Sequence, residues 1–197
     1  MSTDIQLTAL DLVGPRPSRS KDAIPSSVLG ILIFIAAEVM FFASFVSAYM
    51  IISSQAENWP SPDLPRLPVE ATALNSLFLI ASAATMWFAY RNRSGSKCGP
   101  LIALTVLLGA VFVGAQGIEW AKLIAHGLKV NTDVYGSFFY AIIGAHAVHA
   151  IGALLALVRM FVHFKKGKLT TDSFLAHSIF WYFVVGIWPV LYVLVYL

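Results

Sequence analysis

VLGILIFIAAEVMFFASFVSAYMII, residues 28–52, is an apolar run without Lys, Arg or Asp, and it carries one acid, Glu38, near its middle. At about 1.5 Å rise per residue, such a run coiled into a helix is long enough to cross a hydrocarbon core of roughly 30 Å. A charged group at that depth costs on the order of 3 kcal/mol on insertion scales unless it is neutralised or paired. Two readings of Glu38 follow. As an undissociated acid it hydrogen-bonds a neighbouring helix and serves packing. As a titrating group it handles protons, the usual work of an intramembrane carboxyl.

Four further apolar stretches follow, at about 70–90, 100–121, 135–162 and 174–196. Each is long enough to span a bilayer. None alternates apolar and polar residues over about ten positions, as strands of a membrane β-barrel would. The 197 residues are 58% hydrophobic and 12% charged, against about 25% charged in soluble domains. The fold class expected is therefore all-α: a polytopic membrane protein with five transmembrane helices in a bundle. Residues 1–25 form a Pro- and Ser-containing tail without the apolar core of a cleavable signal, expected to be flexible; residues 26–197 form the membrane domain. The single cysteine, Cys98, falls in a short polar loop and has no intrachain partner. The net charge of +3 is spread over loops, which points to membrane topology and away from nucleic acid.

Lys and Arg counts set the expected orientation. Arg16, Arg19, Lys21, Arg91, Arg93, Lys97, Arg159, Lys165, Lys166 and Lys168 fall on one side, and only Arg66, Lys122 and Lys129 on the other. The positive-inside rule puts the N-terminus in the cytoplasm and the C-terminus outside. The loop at 58–68, NWPSPDLPRLP, then faces outward, stiffened by repeated proline. Trp59, Trp120, Tyr135 and Tyr196 fall near predicted outer ends, and Trp87 and Tyr90 near an inner end, the placing of an aromatic belt.

Two faces of small residues predict close helix contacts: Gly30, Ala37, Ser44 and Ala48 on the first span, and Ser137, Ala141, Ala145, Gly152 and Ala156 on the fourth. Further polar residues sit at depth. Gln116 and Glu119 are i, i+3 on the third span, where Glu119 is expected to reach the interface or cap the re-entering loop. His146 and His149 are i, i+3 on the fourth. Two histidines can ligate a metal or haem, but no third or fourth ligand has matching spacing, and interhelical hydrogen bonding competes with that reading. His177, four residues before Trp181, is placed to stack or to reach the inner interface. Trp59, Trp120, Tyr135, His177, Trp181, Tyr182 and Trp188 are the interface or lipid-contact candidates. Pro189 frees the carbonyl of Val185 and predicts a mild kink.

Four segments together resemble subunit III of the haem–copper oxidases, in the short five-helix form of bacteria. AEVMFFASFVSAY (37–49) resembles the family's opening helix with its buried Glu, here Glu38. NWPSPDLPRLPVEATALNS (58–76) resembles the Trp/Pro loop and the helix after it. QGIEWAKLIAHGL (116–128) with YGSFFYAIIGAHAVHAIGALLAL (135–157) resembles the most characteristic pair, with Glu119, Trp120, Tyr135, Gly136, His146 and His149 in place. FWYFVVGIWPVLYVLVYL (180–197) resembles the closing helix. That helix departs from the family's Trp-His-Phe-Val-Asp, with Tyr182 at the His position and Val185 at the Asp position. The two N-terminal helices of longer members have no counterpart here, so the chain is expected to supply one wall of the lipid-filled cleft those members hold.

The resemblance implies a non-catalytic subunit of a proton-pumping terminal respiratory oxidase that reduces oxygen to water. It implies no cofactor on this chain, with haems and copper in subunits I and II; packing mainly against subunit I, and also subunit II or a larger supercomplex; membrane phospholipid as a ligand; and a bacterial plasma membrane. Family members with the buried Glu sustain proton uptake and protect the active site during turnover. The Trp/Pro loop is closer to the cytochrome c branch than to the quinol branch. The alternatives are a subunit III-like chain of a nitric oxide reductase or quinol oxidase, a small proton or solute carrier using Glu38, and a membrane cytochrome using His146 and His149.

Overall fold

The structure, a computed structural model, describes residues 24–59, 67–128, 130 and 133–197. Among them are five helices: α1 (Ser26–Gln55), α2 (Val69–Arg91), α3 (Cys98–Ala125), α4 (Val134–Lys165) and α5 (Thr171–Tyr196). All five are long and apolar enough to cross a membrane, and the described residues contain no strand. The chain is an all-α, multi-pass membrane protein. Most of the predicted tail, Pro60, Pro62 and Pro65 of the 58–68 loop, Arg66 and Lys129 lie outside the described residues.

Every helix outruns its predicted apolar span, because helical hydrogen bonding continues into polar flanks where side chains reach water. The ends carry their own signals. Thr170 accepts a hydrogen bond from the Ser173 amide at 3.2 Å and caps α5. α3 and α4 both close on glycines in the left-handed region, Gly127 (φ 98°) and Gly167 (φ 63°). In each case the amide after the glycine reaches back five residues, Leu128 to Leu123 and Lys168 to His163, which satisfies carbonyls the helix would leave open. Cys98 is not in a loop. It opens α3 and is buried, since the connection from α2 is shorter than the polar residues suggest.

Among the described helices, α5 packs against α1, α2 and α4, α3 lies between α2 and α4, and α1 packs against α4 and α5. The core is built around two α5 indoles, Trp181 and Trp188, both essentially without exposure. Trp181 donates to Ser82 Oγ at 3.1 Å and Trp188 to Ser76 Oγ at 2.8 Å, both on α2. The predicted surface role of these two tryptophans is thus corrected. Each indole N–H has a hydroxyl partner inside the bundle, so its polar end does not seek the interface. Tyr135 and Tyr196 are likewise buried. Trp87 is exposed and lies beneath the Arg91 guanidinium at 4.2 Å, as a boundary residue should.

The small-residue faces are a second correction. Gly30, Ala37 and Ser44 on α1, and Ser137, Ala141 and Gly152 on α4, are exposed. α1 instead buries Val28, Phe42 and Tyr49, and α4 buries a run from Tyr135 and Phe139 through Leu157 and Met160. Bulk wins because large side chains fill the gaps between helices, and the close approaches fall elsewhere. At Gly109 on α3 a β-carbon would come within 2.7 Å of the Trp181 ring, and at Gly99 within 2.6 Å of Phe164. α5 is a continuous helix through Pro189.

Gly109→Ala should destabilise the bundle by about 1–3 kcal/mol through overlap with the Trp181 ring. Gly30→Ala, where a β-carbon meets nothing within 4 Å, should be neutral or slightly stabilising. Thermal unfolding in detergent checks both.

Candidate functional site

Glu38 is not alone in the membrane. Phe42, one turn along α1, is buried, and it turns that face of the helix toward α4 and α5. There Glu38 Oε2 meets His149 Nε2 of α4 at 2.9 Å. The two side chains are 17% and 16% exposed, so the pair sits at the edge of the bundle, not at its centre. The rings of Phe41 and Phe42 flank the imidazole at 6.3 and 5.3 Å. The imidazole thus turns to α1, and the interhelical hydrogen bond expected for a histidine of this pair is made by His149.

The other imidazole nitrogen decides the chemistry. His149 Nδ1 lies 2.8 Å from the Ala145 carbonyl. A carbonyl only accepts, so Nδ1 carries a hydrogen. Nε2 then either accepts from a carboxylic acid or, protonated, donates to a carboxylate. Both arrangements place one proton between Glu38 and His149, and both leave the pair neutral overall. This arrangement removes the insertion cost of an isolated charge.

His146, one turn before His149, belongs to different surroundings. It is 1% exposed, stacks on Trp188 at 5.0 Å with a 29° tilt, and neither ring nitrogen has a hydrogen-bond partner. The two histidines do not converge as a ligand pair. Among the described residues His, Cys, Asp and Glu nowhere gather in groups of three or more that could hold a metal ion.

Glu119, its side chain largely covered, pairs with Lys122 at 2.8 Å on the same helix, with the lysine largely in the open. Gln116 is the buried member of that face. It donates to the Tyr196 hydroxyl at 3.0 Å and accepts from Asn75 Nδ2 at 3.4 Å, and Asn75 also donates to the Phe112 carbonyl at 3.0 Å. This amide cluster ties α2, α3 and α5 together. Sequence reasoning picked out Gln116 but missed Asn75; the available signal was two amides inside adjacent apolar runs. His177 bonds through Nδ1 to the Ser173 carbonyl at 2.6 Å and lines a groove with Ser26 and Ser27, so it does not stack on Trp181. Trp59 donates to the Tyr49 hydroxyl at 3.1 Å and meets Tyr135 edge to face at 5.4 Å. Trp120 packs edge to face on Tyr140 at 5.9 Å. Tyr182 sits at the surface of α5, and Val185 is buried and apolar.

Residues 22–197 match the family model for cytochrome c oxidase subunit III. The chain belongs to that family. It is 31% identical over 175 residues to the probable cytochrome c oxidase subunit 3 of Nocardia farcinica, covering 85% of this chain and 86% of the relative. The subunit 3 of Bacillus sp. strain PS3 is 30% identical over 175 residues, covering 86% and 84%. That of Synechocystis is 29% identical over 177 residues, covering 86% and 75%. Subunit III of a terminal oxidase is an accessory chain of a multi-subunit complex, serving aerobic respiration and proton translocation. The separate carrier, the membrane cytochrome and the nitric oxide reductase chain are not favoured.

A double-mutant cycle of Glu38→Ala and His149→Ala should give a coupling of about 1–3 kcal/mol in bundle stability, because either single change leaves a partly buried polar partner unmet. Coupling near zero would mean that the 2.9 Å contact carries no energy.

Proposed function

We propose that Glu38 and His149 form a proton-holding pair by which this subunit III supports proton uptake and sustained turnover of the oxidase. The observation that carries this reading is the Glu38–His149 contact at 2.9 Å, with Nδ1 committed to the Ala145 carbonyl. An imidazole whose second nitrogen is locked shares one proton with the carboxyl, and that shared proton supports this reading. The pair's place at the bundle edge lets it act on a neighbouring chain.

In this reading the chain performs no redox step. Haems and copper lie in subunits I and II, and subunit I is the main neighbour, with subunit II and a larger supercomplex beyond it. Cytochrome c is the electron donor. Exposed apolar side chains such as Leu32, Ile33 and Met40 on α1 and Leu74 and Leu77 on α2 supply the surfaces for other subunits and for phospholipid. The Lys and Arg distribution supports a cytoplasmic N-terminus and an outer C-terminus in a bacterial plasma membrane.

Glu38→Gln tests the reading. The Gln amide can donate to His149 Nε2, so assembly should survive while proton exchange is lost. The expected result is an intact complex whose oxygen consumption starts near normal and decays during turnover, with weakened pumping. Normal sustained turnover and pumping would remove the proton role and leave packing. Deleting the whole chain should leave an oxidase that reduces oxygen but inactivates early, and stopped-flow and oxygen-electrode records over many turnovers would show it.

A further inference from the structure

The α2–α3 and α4–α5 connections meet at one end of the bundle and enclose a cavity of about 250 Å³. It opens to the surface between Arg93 and Ser94 on one side and Thr170 and Thr171 on the other, all four exposed. These side chains are donors. Thr170 Oγ1 accepts from the Ser173 amide at 3.2 Å, which leaves its hydroxyl hydrogen free to donate. Arg93 lies over the Tyr90 ring at 4.9 Å and reaches the Tyr90 carbonyl only at 3.5 Å. A guanidinium carries five N–H groups, so most of these are unspent. No carboxylate lines the cavity. The two connections also carry Arg91, Lys97, Lys165, Lys166 and Lys168, with Asp172 the one acid beside them. Neither ion pair among the described residues uses any of these cations.

Converging donors and positive charge without an acid suit an oxyanion. Membrane topology alone does not call for this arrangement. The positive-inside rule counts Lys and Arg wherever they fall on a loop and needs no shared cavity. The rest of the lining is largely apolar, with Phe164, Leu169 and Phe174. A free inorganic anion gains nothing from that wall, whereas a phospholipid continues from its phosphate into glycerol and acyl chains. The same end of α2 holds Trp87 beneath Arg91, the level at which headgroups lie.

We propose that this cavity is a phospholipid headgroup site, in which Arg93 and the Ser94, Thr170 and Thr171 hydroxyls hold the phosphate of an anionic lipid. Basic pockets between transmembrane helices take anionic headgroups in this way. The site gives a place and a headgroup chemistry to the phospholipid contact proposed above. It owes nothing to the Glu38–His149 pair, and lipid binding and turnover are read separately, so either can fail without the other.

The test uses the intact oxidase complex containing this chain, stripped of lipid in detergent and titrated with phosphatidylglycerol while native mass spectrometry counts the lipid retained. Arg93→Gln should retain one phosphatidylglycerol fewer, its affinity there about tenfold weaker through loss of a charge-assisted bond. Arg91→Gln removes the same charge from the same connection but not from the cavity, and should keep the full complement. Equal loss in both variants would show a general basic surface and overturn the proposal, as would no loss in either. Displacement of the counted lipid by excess inorganic phosphate would assign the cavity to a soluble anion and overturn it too. If the Arg93 variant does not assemble, a structure of the unmodified complex decides. Lipid phosphate density about 2.7–3.2 Å from the Arg93 guanidinium or a cavity hydroxyl is expected, and a cavity without it overturns the proposal.

Discussion

Lipid tails are as apolar as the side chains they touch, so helices in a bilayer associate only where packing or hydrogen bonds improve on lipid. In this chain two α5 indoles meet that condition. Trp181 and Trp188 fill the middle of the bundle, and each gives its N–H to a serine of α2. Trp181 also closes over Gly109 of α3, and Trp188 packs edge to face on Phe112 of the same helix at 5.1 Å. α5 is thereby fixed to α2 and α3, and α4 and α1 are built against it. The position of His146 against Trp188 follows from that order.

The number and order of the helices were legible because apolar runs between polar or proline-containing connections admit one reading at this length. Family membership was legible because motifs around Glu38, Glu119, His146 and Trp188 occur together and in order. Contacts between helices were harder to read. Small residues on α1 and α4 suggest close contact by composition alone, but lipid tolerates a small residue as readily as a neighbouring helix does. Trp181 and Trp188 read as boundary residues because nothing in a sequence shows that Ser76 and Ser82 stand opposite their N–H groups. The Glu38–His149 pair was legible only as two separate polar residues, since their meeting depends on how α1 leans on α4.

The polar residues at depth then fall into three conditions. Glu38 and His149 neutralise each other across two helices. Gln116, Asn75 and Tyr196 bond to one another among three, with the Asn75 side-chain oxygen left over. His146 is buried without a partner in the protein. Only the first holds a proton between two titratable groups, which is why the functional reading rests there. Val185, where the resemblance puts an acid, is buried and apolar, so along that stretch of α5 this chain relies on apolar packing.

The pairing of α1 with α4 also bears on how the chain is made. α1 precedes α4 in the chain, and α2 and α3 must be synthesised before the helix bearing His149 arrives. During that interval the Glu38 side chain has no counterpart within its own polypeptide. The insertion machinery therefore has to tolerate an uncompensated acid in an otherwise strongly apolar segment, or shelter it until α4 docks. Biogenesis, and not only the finished complex, places a demand on this one carboxyl.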